Sequence, residues 1–104
     1  MTMTDFRSLL EGAFKGKVAY RAFPINEAPP LPFVVFFYQN DEHFLADDKV
    51  YFRKQAVQVE LYTKDKDESV EQTLEAVLEP FIWSKETIYL DDEACYETIY
   101  NMEV

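Results

Sequence analysis

The residue types that carry chemistry are thinly spread in this chain. His43 is the only histidine, and it sits in an acidic stretch with Asp41, Glu42, Asp47 and Asp48. Proton transfer or metal ligation by an imidazole needs partners at defined spacing, and none flanks it, so a solvated loop histidine is the reading. Cys95 is the only cysteine. It has no histidine near it in sequence and falls opposite the apolar parity of its strand, which makes it a packed thiol rather than a nucleophile. Asp91, Asp92 and Glu93 offer three carboxylates in a row, yet they lack the glycine and alternating spacing of a calcium loop and read as a turn. With Gly12 and Gly16 as the only glycines, there is no glycine-rich phosphate cradle either. An enzyme here would have to be built from aromatic and carboxylate side chains. Its mark would be a pocket with convergent polar groups and strongly perturbed carboxylates. The expectation is a protein without a catalytic centre, a cofactor or a metal.

Charge points toward partners. Twenty acidic residues stand against 10 basic ones in 104, a net charge of -10, and such a surface repels phosphate backbones. The aromatic run Phe33 to Tyr38 lacks the interleaved basic residues of a stacking platform for nucleic acid, so it reads as core. The basic cluster Lys49, Arg53 and Lys54, around Val50, Tyr51 and Phe52, is either a contact for an acidic neighbour or a solvated strand edge that discourages aggregation.

The elements that would hold these residues follow from periodicity. At 104 residues with 48% hydrophobic and 16% aromatic content, the chain suits one domain with one core, residues 1–104. One cysteine excludes an internal disulfide. Met1 to Arg7 lacks the basic and apolar regions of a signal peptide, and the longest apolar run, Leu31 to Tyr38, is too short to span a membrane.

Phe6, Leu9, Leu10, Ala13 and Phe14 form a helical stripe, with Thr4 or Asp5 as its cap and Gly16 as the left-handed residue after it. Val18, Tyr20 and Ala22 then alternate as a half-buried strand. Pro24, Pro29, Pro30 and Pro32 make the next segment a stiff exposed loop, because proline cannot donate to a ladder and biases its predecessor to extended shapes. Phe33 to Tyr38 reads as a strand buried on both faces. Asn40 to Asp48 turns outward, and Lys49 to Thr63 is a long strand whose apolar parity flips between residues 53 and 56, implying a bulge.

Asp65 or Ser69 opens a second helix, with Glu68 or Gln72 completing a capping box. Its buried stripe is Val70, Leu74, Val77, Leu78 and Phe81, its outer face Glu68, Glu71, Gln72, Glu75 and Glu79, and Pro80 ends it at Glu79. Strands Thr87 to Leu90 and Ala94 to Val104 close the chain. In the last of these Tyr96, Thr98, Tyr100 and Met102 share the core face, and Glu97, Asn101 and Glu103 the other. The sum is an α+β single domain of order α-β-β-β-α-β-β, a mainly antiparallel sheet packed against two helices.

The string VYFRKQAVQVELYTKDKDESVEQTLEAVLEPF (Val50 to Phe81), followed by YETIYNMEV (Tyr96 to Val104), resembles the small tail-completion, tail-terminator or head-tail joining proteins of long-tailed bacteriophages and prophages of Gram-positive bacteria. The likeness runs from about Val34 onward and includes the N-terminal helix by position. It implies a structural virion protein at the head-tail junction, assembled in the host cytoplasm into a hexameric ring on the tail tube. Its implied partners are other copies of itself, the tail tube protein and the head-closure or connector protein, with genomic DNA passing through and no membrane involved. In such a ring the loops bearing Pro24, Pro29 and Pro30, and Asp41, Glu42, His43, Asp47 and Asp48, are the candidates for neighbour contacts. The alternative is a small acidic phage-encoded protein that mimics DNA and inhibits a host protein.

Overall fold

Eight residues, Ala56–Thr63 (β3), hold the centre of the sheet. Their strict alternation buries Val57, Val59, Leu61 and Thr63 on one face and leaves Ala56, Gln58, Glu60 and Tyr62 half-buried on the other, the period of two that a strand imposes. The computed structural model describes residues 1–39 and 55–104. The flip of parity expected between residues 53 and 56, with Val50 and Phe52, lies outside the described residues, as do Asp41, Glu42, His43, Asp47, Asp48, Lys49, Arg53 and Lys54.

Antiparallel neighbours flank β3 on both sides: Phe33–Gln39 (β2), running from Phe33↔Tyr62 to Gln39↔Ala56, and Cys95–Glu103 (β5), running from Ala56↔Glu103 to Thr63↔Tyr96. Trp83–Leu90 (β4) pairs antiparallel with the far side of β5, and Val18–Tyr20 (β1) pairs parallel with β2. The sheet order is therefore β1-β2-β3-β5-β4. Two helices, Met3–Glu11 (α1) and Glu68–Val77 (α2), lay Phe6, Leu10 and Leu74 against Val34, Phe36, Val57, Val59, Leu61, Tyr100 and Met102 in one core. Element order and class are those expected: α+β, α-β-β-β-α-β-β, largely antiparallel.

The helix ends differ from the sequence reading. Thr2, not Thr4 or Asp5, caps α1: its Oγ1 accepts the Asp5 N–H at 3.0 Å, which places Asp5 in the first turn at the positive end of the helix dipole. Gly16 does take a left-handed φ of +75°, four residues beyond Gly12, with its N–H donating to the Glu11 carboxylate at 2.9 Å. Asp67, not Asp65 or Ser69, caps α2, because its Oδ1 accepts from the N–H groups of both Ser69 and Val70 and from the Ser69 hydroxyl. One carboxylate thereby does the work of the capping box. The helix stops at Val77, ahead of the Pro80 boundary, and Leu78 is fully buried just past its end.

Strand β2 is buried on both faces only at Val34, Val35 and Phe36; Phe33, Phe37 and Tyr38 are half-buried. Strand β4 is twice the expected length. Its inward positions are Trp83, Lys85, Thr87 and Tyr89, and a lysine among them breaks the apolar alternation that would have revealed the strand. That lysine explains a further departure. Glu71, read as an outer-face residue, is 2% exposed, because Lys85 reaches from β4 to its Oε1 at 2.9 Å while Lys66 bonds its Oε2. Lys85 also donates to Glu75 Oε2 at 2.6 Å, and the Tyr100 hydroxyl donates to the same oxygen at 2.8 Å.

Burial raises the Glu71 carboxyl pKa, and the Lys66 and Lys85 hydrogen bonds more than reverse this, leaving it below the ordinary carboxylate value. The contribution is thus present above the unfolded-state carboxylate pKa and is lost as pH falls through the lowered one. Replacing Lys85 by Met leaves the buried carboxylate with Lys66 alone, at a cost of about 1–3 kcal/mol. Urea denaturation at pH 7 checks the value, and the deficit relative to the parent protein narrows as the same measurement is carried into acid.

Candidate functional site

The sheet face away from the helices carries the least expected chemistry. After β1 the chain turns through Arg21 and Asn26, both in the left-handed region at φ 70° and 65°. The proline-rich segment that follows is tied down at Phe23, whose ring meets Phe33 edge-on at 5.2 Å, and by a turn in which Glu27 N–H donates to the Pro24 carbonyl at 2.9 Å. Pro24 and Pro30 are exposed, Pro29 is half-buried, and Ile25 is 87% exposed. This matches the expected exposed loop, though it is anchored at its start. Beneath it lies a cavity of about 560 Å³ lined by Phe23, Leu31, Phe33, Val35, Tyr62 and Cys95 among others.

Beside this cavity runs a chain of polar side chains. Gln39 Nε2 donates to Gln58 Oε1 at 2.9 Å, and Gln58 Nε2 donates to Glu60 Oε2 at 2.6 Å. The Tyr62 hydroxyl lies 2.8 Å from Glu60 Oε1 and 3.1 Å from Glu97 Oε2. Tyr62 stands directly across the β3–β5 ladder from Glu97, which explains the meeting of residues so distant in sequence. Glu97 lies, as expected, on the face opposite Thr98, Tyr100 and Met102, and is only 8% exposed there. Burial, and then the nearby Glu60 charge, hold its carboxyl above the ordinary value. Tyr62 is also raised, first by burial and then by hydrogen bonding to Glu60. One phenolic proton cannot satisfy two carboxylates at once, so a proton retained on Glu97 relieves the repulsion. Of Glu60, Tyr62 and Glu97, only Tyr62 reaches the cavity wall. The bonds of Glu97 end inside the seam, an arrangement suited to holding β3 and β5 in register.

Cys95 is buried on the same face, and burial followed by the Glu93 charge pushes its thiol up, away from the thiolate that nucleophilic chemistry requires. Asp91, Asp92 and Glu93 are exposed in the β4–β5 turn, as expected, and no group of three metal-type side chains occurs among the described residues. No described helix is long and apolar enough to cross a membrane.

The two edges of the sheet differ. Gln55 and Val104 exchange N–H···O bonds in both directions, at 3.1 and 3.0 Å. Alternation along the antiparallel ladders then aims the main chains of Ser84, Glu86, Ile88 and Leu90 at β5 and those of Trp83, Lys85, Thr87 and Tyr89 outward. At the opposite edge Val34 N–H donates to Lys17 and Arg21 N–H donates to the Phe36 carbonyl, so Val18 and Tyr20 face out. Both of those outward carbonyls are taken: Arg7 Nη2 donates to Val18 at 3.2 Å and Ala22 N–H donates to Tyr20 at 2.8 Å. The β1 edge thus has its outward carbonyls engaged, while among the described residues no strand pairs with the outer side of β4.

No family model, curated protein or solved structure matches the chain.

Of the expected contact residues, Pro24, Pro29 and Pro30 share the anchored loop. The carboxylate pair Glu60 and Glu97 and the β4 edge were missed, since cross-strand proximity is set by register and leaves no local signal. Because the native Glu97 pKa is raised, its stabilising contribution is complete below the unfolded carboxylate value and is lost as pH rises through the native one. Glu97→Gln removes that loss. The variant matches the parent at low pH and becomes the more stable of the two as pH approaches 7, as thermal melts across that range will register.

Proposed function

We propose that this chain is a structural assembly subunit, a tail-completion protein of a long-tailed bacteriophage or prophage. It forms a ring at the head-proximal end of the tail tube, ends tube growth and joins the tail to the head-closure or connector complex. The observation that carries this reading is where the polar groups point. The carboxylates with perturbed environments, Asp67, Glu71 and Glu97, are spent on internal bonds, and the remaining surface is acidic, with the exposed proline-rich loop and the β4 edge, among the described residues, left for contacts.

A ring that surrounds passing DNA gains from outward carboxylates, since repulsion keeps phosphates from sticking. Cyclic closure requires two different complementary patches on each copy. The loop around Ile25 is one such patch. Its side chain is 87% exposed and offers a neighbouring copy an apolar anchor on the exposed loop. The resemblance carried by Val50 to Phe81 and Tyr96 to Val104 supplies the identity of the ring.

Electron microscopy of lysates in which this reading frame alone is interrupted tests the reading. Filled heads beside unattached tails, some overlong, are the expected result, and intact infectious particles overturn it in favour of an acidic inhibitor. Complementation with Ile25→Asp should lower the yield of joined particles by about tenfold or more while leaving the melting temperature unchanged, as expected when a contact anchor is lost from an exposed site.

A further inference from the structure

The asymmetry of the two edges limits what can pair with β4. Val18 and Tyr20 at the β1 edge have their outward carbonyls engaged by Arg7 and Ala22, so the β1 edge of a second copy is unfit to extend the ladder. From these contacts we infer that two copies of this chain pair through β4, antiparallel about a two-fold axis at Thr87, to make one continuous sheet.

Three observations support this occupant over others. The strand exposes Ile88 at 40% and Tyr89 at 50%, and both would be covered at the junction. Its one lysine is already neutralised, since Lys85 bonds Glu71 and Glu75 from the same copy. The register is also self-complementary. Centred on Thr87, the pairing sets Thr87 opposite Thr87, Lys85 opposite Tyr89 and Glu86 opposite Ile88, with the outward main-chain groups of residues 85, 87 and 89 facing each other as hydrogen-bonded pairs. Centred on Glu86 it would set two glutamates face to face, and centred on Lys85, two lysines. Like charges directly opposite are destabilising; a centre at Ile88 avoids them too but pairs only Thr87 with Tyr89 among the outward residues of the strand, so Thr87, which also engages Lys85, forms the longer ladder and is the centre of choice.

An isologous pair closes on itself, whereas a cyclic ring joins different patches. The β4 dimer is therefore a form taken outside the proposed ring, and the two readings fail separately. Two chains of net charge -10 repel, so added salt should strengthen the dimer. A basic partner strand would respond in the opposite direction.

Thr87 provides the test because its N–H points away from β5. Proline there removes the donor that a second copy needs and leaves the β4–β5 ladder intact. Sedimentation of the purified chain should give a dimer, with Thr87→Pro at least about tenfold weaker in self-association at an unchanged circular dichroism spectrum. A monomer at every concentration and salt, or a dimer indifferent to Thr87→Pro, overturns the inference. The substitution also removes the 3.2 Å hydroxyl contact of Thr87 with Thr98. Should that variant fail to fold, single cysteines in a Cys95→Ala background decide: Thr87→Cys cross-links to its own copy on oxidation and Glu86→Cys does not. No cross-link at position 87, or one at 86 in its place, overturns the pairing.

Discussion

A buried carboxylate fixes how this domain closes. Glu71 is almost wholly removed from water on a helix that would otherwise offer the sheet only its apolar stripe, and it is held from two directions by Lys66 and Lys85. Lys66 belongs to the approach to α2, and Lys85 belongs to β4, the outermost strand. The ion pair thus ties one end of the helix to the sheet margin, while Glu75 gathers Lys85 and Tyr100 one turn later. Leu74 and Leu78 supply the apolar attraction. The charges determine rotation and register, because a carboxylate at this depth is tolerable only with its partners in place.

Much of this was legible in the sequence, and the failures share a cause. Strand β3 alternates without exception, so Val57, Val59 and Leu61 declare the core face. The α1 stripe at Phe6 and Leu10 is equally plain. Glu71 and β4 were misread, and the burial of Glu97 beside Glu60 was missed, because their environments are made by residues remote in sequence. A glutamate beside other glutamates on a helix looks solvated until a lysine from a distant strand arrives, and Trp83 to Glu86 looks like a loop while Lys85 is counted as polar. The cap of α2 slipped for a different reason. Asp65, Asp67 and Ser69 are all competent, and only geometry selects the middle one.

The two faces of the sheet are stabilised by different physics. Toward the helices the contacts are apolar at the centre, with Phe6 against Phe36 and Trp83 against Tyr100 at ring distances of 5.6 and 5.3 Å, and ionic at the β4 margin, where Lys85 meets Glu71 and Glu75. On the far face, Phe33 between Phe23 and Tyr62 gives way to the Gln39, Gln58, Glu60, Tyr62 and Glu97 seam. Such a seam contributes little net energy when satisfied and costs much when broken, so it discriminates strongly against a slipped pairing of β3 with β2 or β5. No buried side-chain nitrogen or oxygen lacks a partner among the described residues.

Strand order has a consequence for synthesis. Strand β5 lies between β3 and β4 although it follows both in the chain. While it is still being made, β3 has a partner only at β2, and β4 has none. Nascent chain emerging ahead of β5 therefore waits with one edge of β3 and both edges of β4 unpaired, and the sheet locks together only after β5 has left the ribosome exit tunnel. A polypeptide interrupted before that point keeps only the β1–β2–β3 pairing and leaves β4 without a neighbour, so its exposed edges mark it as unfinished.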